Sequence, residues 1–256
     1  MAERDGALPV AAISLAGLVG VWILAAWAGG DPSILPQPWV VAEVVARESA
    51  SGKLWLHMSW TLWRVVMAFA LAMGVGCALG IVLGLMPRLN RWADPWVTVF
   101  LNLPALVIIV LCYLWIGLNE VAAIVAVAFN KTAMVTVTIR EGVRAMDPQV
   151  SEMARVYRLS PLARLRHVIW PQLMPFVAAS TRSGLAVIWK IVLVVEFLGR
   201  SNGVGFQIHL YFQMFDTASV LAYALSFTAV MLAIEYGLVQ RWERRATAWR
   251  RAQAGT

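Results

Sequence analysis

The chain has 256 residues, 61% of them hydrophobic and 14% charged. A mean hydropathy of +0.72 excludes an ordinary soluble domain and places the chain among proteins that cross a membrane several times. Its net charge of +7 does not point to nucleic acid, because the cations fall in short clusters between apolar runs rather than along one polar face.

Six segments have the roughly 20 residues that a hydrocarbon core of about 30 Å requires. They run near Leu8 to Ala28, Thr61 to Leu85, Trp96 to Ile116, Val121 to Thr138, Leu173 to Leu198 and Thr217 to Val239. The expected fold class is therefore all-α, a polytopic membrane protein with six transmembrane helices. The first segment has Arg4 before it, as a signal peptide would, but its apolar run exceeds the usual ~7 to 15 residues and reads as a retained helix. Of the 21 Lys and Arg residues, 14 fall on one side of this arrangement and three (Arg47, Lys53, Arg200) on the other. Cytoplasmic connections are enriched in such cations, so both termini are expected in the cytoplasm of an inner-membrane protein.

Between the first two spans, Val40, Val41, Val44 and Val45 alternate with Glu43, Arg47 and Glu48. That pattern suits an amphipathic helix on the outer membrane surface or an ordinary surface helix. In the second span Gly76, Gly80 and Gly84 recur every four residues and lay a smooth groove, either for packing within the subunit or for a seam between two copies. Pro104 removes a backbone hydrogen bond from the third span and predicts a kink.

The connection between the fourth and fifth spans is polar and capped. Asp147-Pro148 and Ser160-Pro161 are helix starts, an acceptor for free amides followed by a residue whose missing donor has no partner there anyway. Two short helices are expected, broken near Leu159. Val150, Met153, Ala154 and Tyr157 form one apolar stripe while Glu152, Arg155 and Arg158 project elsewhere; Leu162, Leu165 and Ile169 form the second stripe. Such a stripe is buried either in a partner's groove or on the chain's own spans.

Charges within spans are costly and mark pathways or partners. Arg182, Lys190 and Glu196 on the fifth span, Lys131 on the fourth and Asn102 near the third-span proline are the candidate pathway residues. Arg182 and Glu196 are 14 residues apart, hence on nearly one helical face but about 21 Å apart along the axis, too far to pair. The alternative for Arg182 and Lys131 is snorkelling to the cytoplasmic interface, and for Glu196 to the outer one. Gly199, Gly203 and Gly205 with Ser201 and Asn202 form an outer turn followed by His209, Tyr211, Phe212 and Phe215; it either accepts a soluble partner or packs as a re-entrant element.

Other chemistry finds no support. Cys77 and Cys112 lie within apolar runs, giving neither a disulfide framework nor a Cys-x-x-Cys metal site. No Gly-x-x-x-x-Gly-Lys-Ser/Thr run, His-Glu-x-x-His motif or intramembrane His pair occurs. No catalytic, metal or cofactor-binding residues are assigned, and the chain is not expected to be an enzyme.

Glu152-Met153-Ala154, followed by Leu165, Ile169 and Pro171, resembles the EAA signature of ABC importer permeases, the inner-membrane components of binding-protein-dependent transport. Thr61-Leu62-Trp63-Arg64, Asn102-Leu103-Pro104-Ala105, Trp115-Ile116-Gly117 and Glu196-Phe197-Leu198-Gly199 running to Gly203-Val204-Gly205 are similar to the nitrate, taurine and alkanesulfonate members. The resemblance implies a type I importer permease fold, with residues 1–60 as an N-terminal span and outer amphipathic segment, 61–245 as the core carrying a coupling insert at 140–172, and 246–256 as a basic tail. It also implies a second permease copy, ATP-binding cassette subunits that bind ATP and Mg and hydrolyse the nucleotide in place of this chain, a periplasmic solute-binding protein, and a small oxyanion as solute. The coupling role falls on Val150, Glu152, Met153, Ala154, Arg155, Tyr157, Arg158, Leu159, Ser160, Pro161 and Leu162. Arg158 stands where the family pattern has glycine; a left-handed conformation there would cost arginine about 1 kcal/mol or more, so either the turn is built differently or strain is tolerated. The alternative function is an ion-coupled secondary transporter or channel without an ATPase.

Overall fold

The computed structural model describes residues 2–239, with side chains described from 13 to 237. The basic tail of residues 246–256, together with Arg241, Arg244 and Arg245, lies outside the described residues. Helices α1 (Ala2–Gly29), α2 (Pro38–Ala50), α3 (Lys53–Leu85), α4 (Pro87–Asn102), α5 (Ala105–Ile116) and α6 (Glu120–Arg144) make the first half. Helices α7 (Pro148–Val156), α8 (Pro161–Arg164), α9 (Trp170–Gly199), α10 (Val204–Gln213) and α11 (Thr217–Ile234) make the second, with π-helical turns at Leu165–Ile169 and Glu235–Val239. The described residues form no strand.

Helices α3 and α6, and the 217–237 stretch of α11 with its π turn, are each long and apolar enough to cross a membrane, and α4 with α5 does so jointly. Helix α9 has the length, 30 residues, but carries Arg182, Lys190 and Glu196; α1 contributes the apolar stretch Ile13–Gly29. Among the described residues three helices thus qualify by length and composition, four if the bent pair is one span, and α1 and α9 stand at the positions expected for the first and fifth spans.

Helices α3 and α6 form the longest seam, and the glycine stripe explains it. A Cβ on Gly76 would come within 2.6 Å of Val135 Cβ, and one on Gly80 within 2.7 Å of Ile139 Cβ. Both residue series rise in step along the two helices, which therefore run parallel. The groove is thus a packing surface within the subunit. The main core lies where α9 closes on this pair, with Val65, Ala68, Ala72, Val127, Ile188 and Val192 buried together.

Two expectations change in detail. The third span is not one kinked helix from Trp96: α4 begins at Pro87, and α4 and α5 meet at a bend of 97°. Leu103, preceding proline, is held extended (ψ 126°), and Pro104 is extended as well (ψ 132°), so two residues leave the helix where only one lost hydrogen bond was foreseen. Arg140 holds the near end of α4, donating to Asn90 Oδ1 (3.0 Å) and pairing with Asp94. The segment between the first two spans is helical, and it packs on its own protein: Val41 and Val44 of α2 are buried with Ala222 of α11, and Tyr223 donates to Glu48 at 3.0 Å.

Candidate functional site

The polar insert between α6 and α9 is built by its caps. Asp147 Oδ1 accepts from the Gln149 amide (2.8 Å), and Ser160 Oγ from the Ala163 amide (3.2 Å). The Asp147 amide also donates to Gln172 Oε1 at 3.0 Å, tying the start of α7 to α9. Helix α7 ends in a Schellman turn: the Leu159 amide donates to Ala154 O and the Arg158 amide to Arg155 O, both at 3.0 Å. The residue between helix and turn must be left-handed, and Arg158 is so, with φ +48°. The turn is thus the one a glycine would make, and arginine bears its strain.

The break near Leu159 is present, but the second helix is not separate. From Pro161 the helix continues through the π turn into α9, where the Trp170 amide reaches back five residues to Leu165 O. Pro171 explains the wide turn, since it offers no donor and its ring displaces the carbonyl four residues earlier. The first stripe is also divided. Ala154 is buried, whereas Met153, Tyr157 and the neighbouring Val156 project outwards at 50%, 75% and 78% exposure, with Leu162 at 74%. Glu152, Arg155 and Leu159 are exposed beside them, and Val150 is half-buried. The insert thus presents an apolar knob with no counterpart among the described residues.

The pathway candidates do not form one cluster. Asn102, at the exposed end of α4, donates to Thr98 O (2.8 Å). Arg182 and Lys190 are exposed on α9, and the Lys190 ammonium lies 5.5 Å from the Trp189 ring centre. Lys131 is only 1% exposed, midway along α6 where α3 and α9 meet it, so it does not snorkel.

Glu196 is fully buried and central to a polar cluster at the end of the bundle opposite the insert. It accepts from Arg64 Nη1 (2.6 Å), Thr61 Oγ1 (2.9 Å) and the Gly205 amide (2.8 Å). Arg64 makes a bidentate pair with Glu120 (2.7 and 2.8 Å) and reaches both the carbonyl and the side-chain oxygen of Asn202. All five guanidinium N–H donors are thereby used. Arg200 pairs with the same Glu120, so two cations balance two carboxylates. The cluster ties α3, α6, α9 and the start of α10 together, and its close fit needs glycine. A Cβ on Gly203 would overlap the Glu196 carboxyl, and one on Gly205 would overlap Leu193 O. Sequence reasoning singled out Glu196 but missed its partners. The available signal was complementarity: an unexplained arginine in the first half of one span and glutamates near the ends of two others.

Comparison with known proteins agrees with this architecture. The family described as "Binding-protein-dependent transport system inner membrane component" matches residues 71–246. An aliphatic sulfonates transport permease protein, SsuC, of Bacillus subtilis (strain 168) is 28% identical over 239 residues, 93% of this chain and 86% of that protein. Its namesake in Escherichia coli (strain K12) is 32% identical over 195 residues, 74% of this chain and 73% of that protein. The taurine transport system permease protein TauC of Escherichia coli (strain K12) is 27% identical over 242 residues, 92% and 88% of the two chains. A chain from the MetNI methionine ABC transporter, solved in inward facing conformations, aligns with a TM-score of 0.61 at 15% identity, covering 83% of this chain and 98% of its own. That likeness carries the fold, a type I ABC importer permease. With most of its length matched by one family and its helices arranged in that fold, the chain belongs to the inner-membrane components of binding-protein-dependent transport systems.

Proposed function

We propose that this chain is the transmembrane permease subunit of an ATP-driven importer, paired with a second permease copy and oriented with both termini in the cytoplasm. It takes a small oxyanion, a sulfonate, taurine or nitrate-like solute, from an extracytoplasmic solute-binding protein. Separate ATPase subunits bind ATP and Mg and grip the insert around Val150 to Leu162. The observation that carries the reading is the exposed apolar knob of Met153, Val156, Tyr157 and Leu162, on the side rich in arginine. An amphipathic face in water is stabilised by a partner's groove. The relatives for sulfonates and taurine support the solute class.

The continuous helix from Pro161 to Gly199 supports a mechanical route. If the ATPase contacts α7 and α8 differently in its two nucleotide states, the difference in contact energy biases the permease between outward and inward access. A rod running from the knob to Glu196 carries that bias across the membrane. Val156→Glu and Leu162→Glu test the reading by co-purification with the encoded ATPase. The expected outcome is loss of the ATPase with unchanged thermal stability of the permease, since both side chains are exposed. Retention of a stoichiometric, transport-competent ATPase by the double variant would overturn it.

A further inference from the structure

We propose that Lys131 and Ser180, which share the seam between α6 and α9, form an intramembrane contact for the transported oxyanion; this rests on the import reading above. Buried cations elsewhere in the described residues are neutralised: Arg64 by Glu120 and Glu196, Arg140 by Asp94. Lys131 is as buried as Arg64 (1% exposed each), yet its ammonium meets only the Met134 thioether, at 2.9 Å. No carboxylate lies within ion-pair distance of it among the described residues. A thioether is a weak acceptor, and an ammonium removed from water without a counter-charge is strongly disfavoured.

A second buried donor has no partner in the same seam. Ser180 is 2% exposed, and its hydroxyl has no hydrogen-bond partner among the described residues. Gly142 of α6 meets Leu173 and Phe176 of α9, and Lys131 meets Gly184, so the two helices run antiparallel. Ser180, one turn before Gly184, therefore lies on the face of α9 that meets α6, one turn to the cytoplasmic side of Lys131. Gly184 leaves room for the lysine stem, since a Cβ there would come within 3.0 Å of Lys131 Cε.

An ammonium with spare N–H donors and a hydroxyl donor one turn away suit a ligand with several oxygens sharing a negative charge. Lipid phosphate is the other abundant oxyanion near a membrane protein. Lys131 stands 11 residues into α6, about 16 Å below its outer end, beyond the reach of headgroups at either surface. The seam is closed over both donors in the present conformation. The anion reaches them when α6 and α9 part around Gly184, in the motion that the insert drives.

The test uses the full complex, with ATPase and binding protein, in proteoliposomes supplied with taurine, an alkanesulfonate, nitrate or bicarbonate. Lys131→Met is expected to lower ATP-driven uptake by about tenfold or more, Ser180→Ala by several fold, and Lys131→Arg less than Lys131→Met, as expected for a charge-assisted contact. Subunit stoichiometry should be unchanged. The transported anion should raise the melting temperature of the wild-type complex but not of Lys131→Met, a shift that a merely structural lysine would not govern. Wild-type uptake and anion-induced stabilisation in Lys131→Met would overturn the site while leaving the import reading intact. If the wild-type complex imports none of these anions but takes a neutral or cationic solute, the oxyanion reading fails, and the site with it. Should Lys131→Met fail to assemble, Ser180→Ala and Lys131→Arg decide: full wild-type uptake and anion response in both overturns the proposal.

Discussion

Arg158 and Phe215 are the two non-glycine residues with positive φ among the described residues, +48° and +56°, and both end a helix in the same way. At the end of α10 the Asp216 amide donates to Tyr211 O and the Phe215 amide to Phe212 O, repeating the turn that closes α7. A left-handed residue with a Cβ costs about 1–2 kcal/mol, while glycine costs about 0.4–1 kcal/mol more to order from the unfolded chain. The difference decides the sign: Arg158→Gly should stabilise the protein by about 0.5–1 kcal/mol, seen as a higher melting temperature in detergent. A lower melting temperature would mean that the arginine side chain contributes more than its backbone costs. The buried cluster gives a larger effect. Arg64→Met alone, or Glu196→Met alone, leaves an uncompensated partner and should cost about 3–5 kcal/mol, whereas the two substitutions together should be less harmful than the two effects added. A double-mutant cycle on thermal stability measures that coupling.

At the scale of the elements, glycines divide by what they face. Gly74 has nothing within 4 Å of its would-be Cβ, while Gly80 meets Ile139 Cβ at 2.7 Å and Thr136 O at 2.8 Å. Gly74→Ala should therefore be neutral, while Gly80→Ala forces α3 off α6 and should cost about 1–3 kcal/mol, read as loss of folded material in a detergent melting series. The four-residue spacing was legible in the sequence; its target was not, because a smooth face fits either α6 or a second copy equally well. Caps were legible for a related reason. Asp147 and Ser160 act on amides two or three residues away, so their chemistry is local. The 97° turn between α4 and α5 exceeded the expected kink because Leu103 and Pro104 both became extended. The wide turn before Pro171 was not foreseen either, since it depends on α8 and α9 remaining one helix.

For the whole molecule, the orientation makes a direct prediction. Ser51 and Gln149 are exposed at opposite ends of the bundle. In whole cells Ser51→Cys should react with an impermeant maleimide, and Gln149→Cys only after the membrane is opened; the reverse pattern would invert the topology. Composition and hydropathy determined by themselves that this chain spans a membrane, and the arginine distribution supplied the orientation to be tested. The helix caps and the motif around Glu152 determined where the insert lies. Those features depend on solvent transfer or on neighbours within one helical turn, so a linear string contains them. Tertiary structure alone decided that Glu196 is locked to Arg64, 132 residues away, that Lys131 is buried with no carboxylate beside it among the described residues, and that Ala154 turns inward while Tyr157 does not. The physical reason is common to all three: the energy of a charge or an apolar face depends on what lies opposite it, and here the opposite side is supplied by a helix distant in the chain.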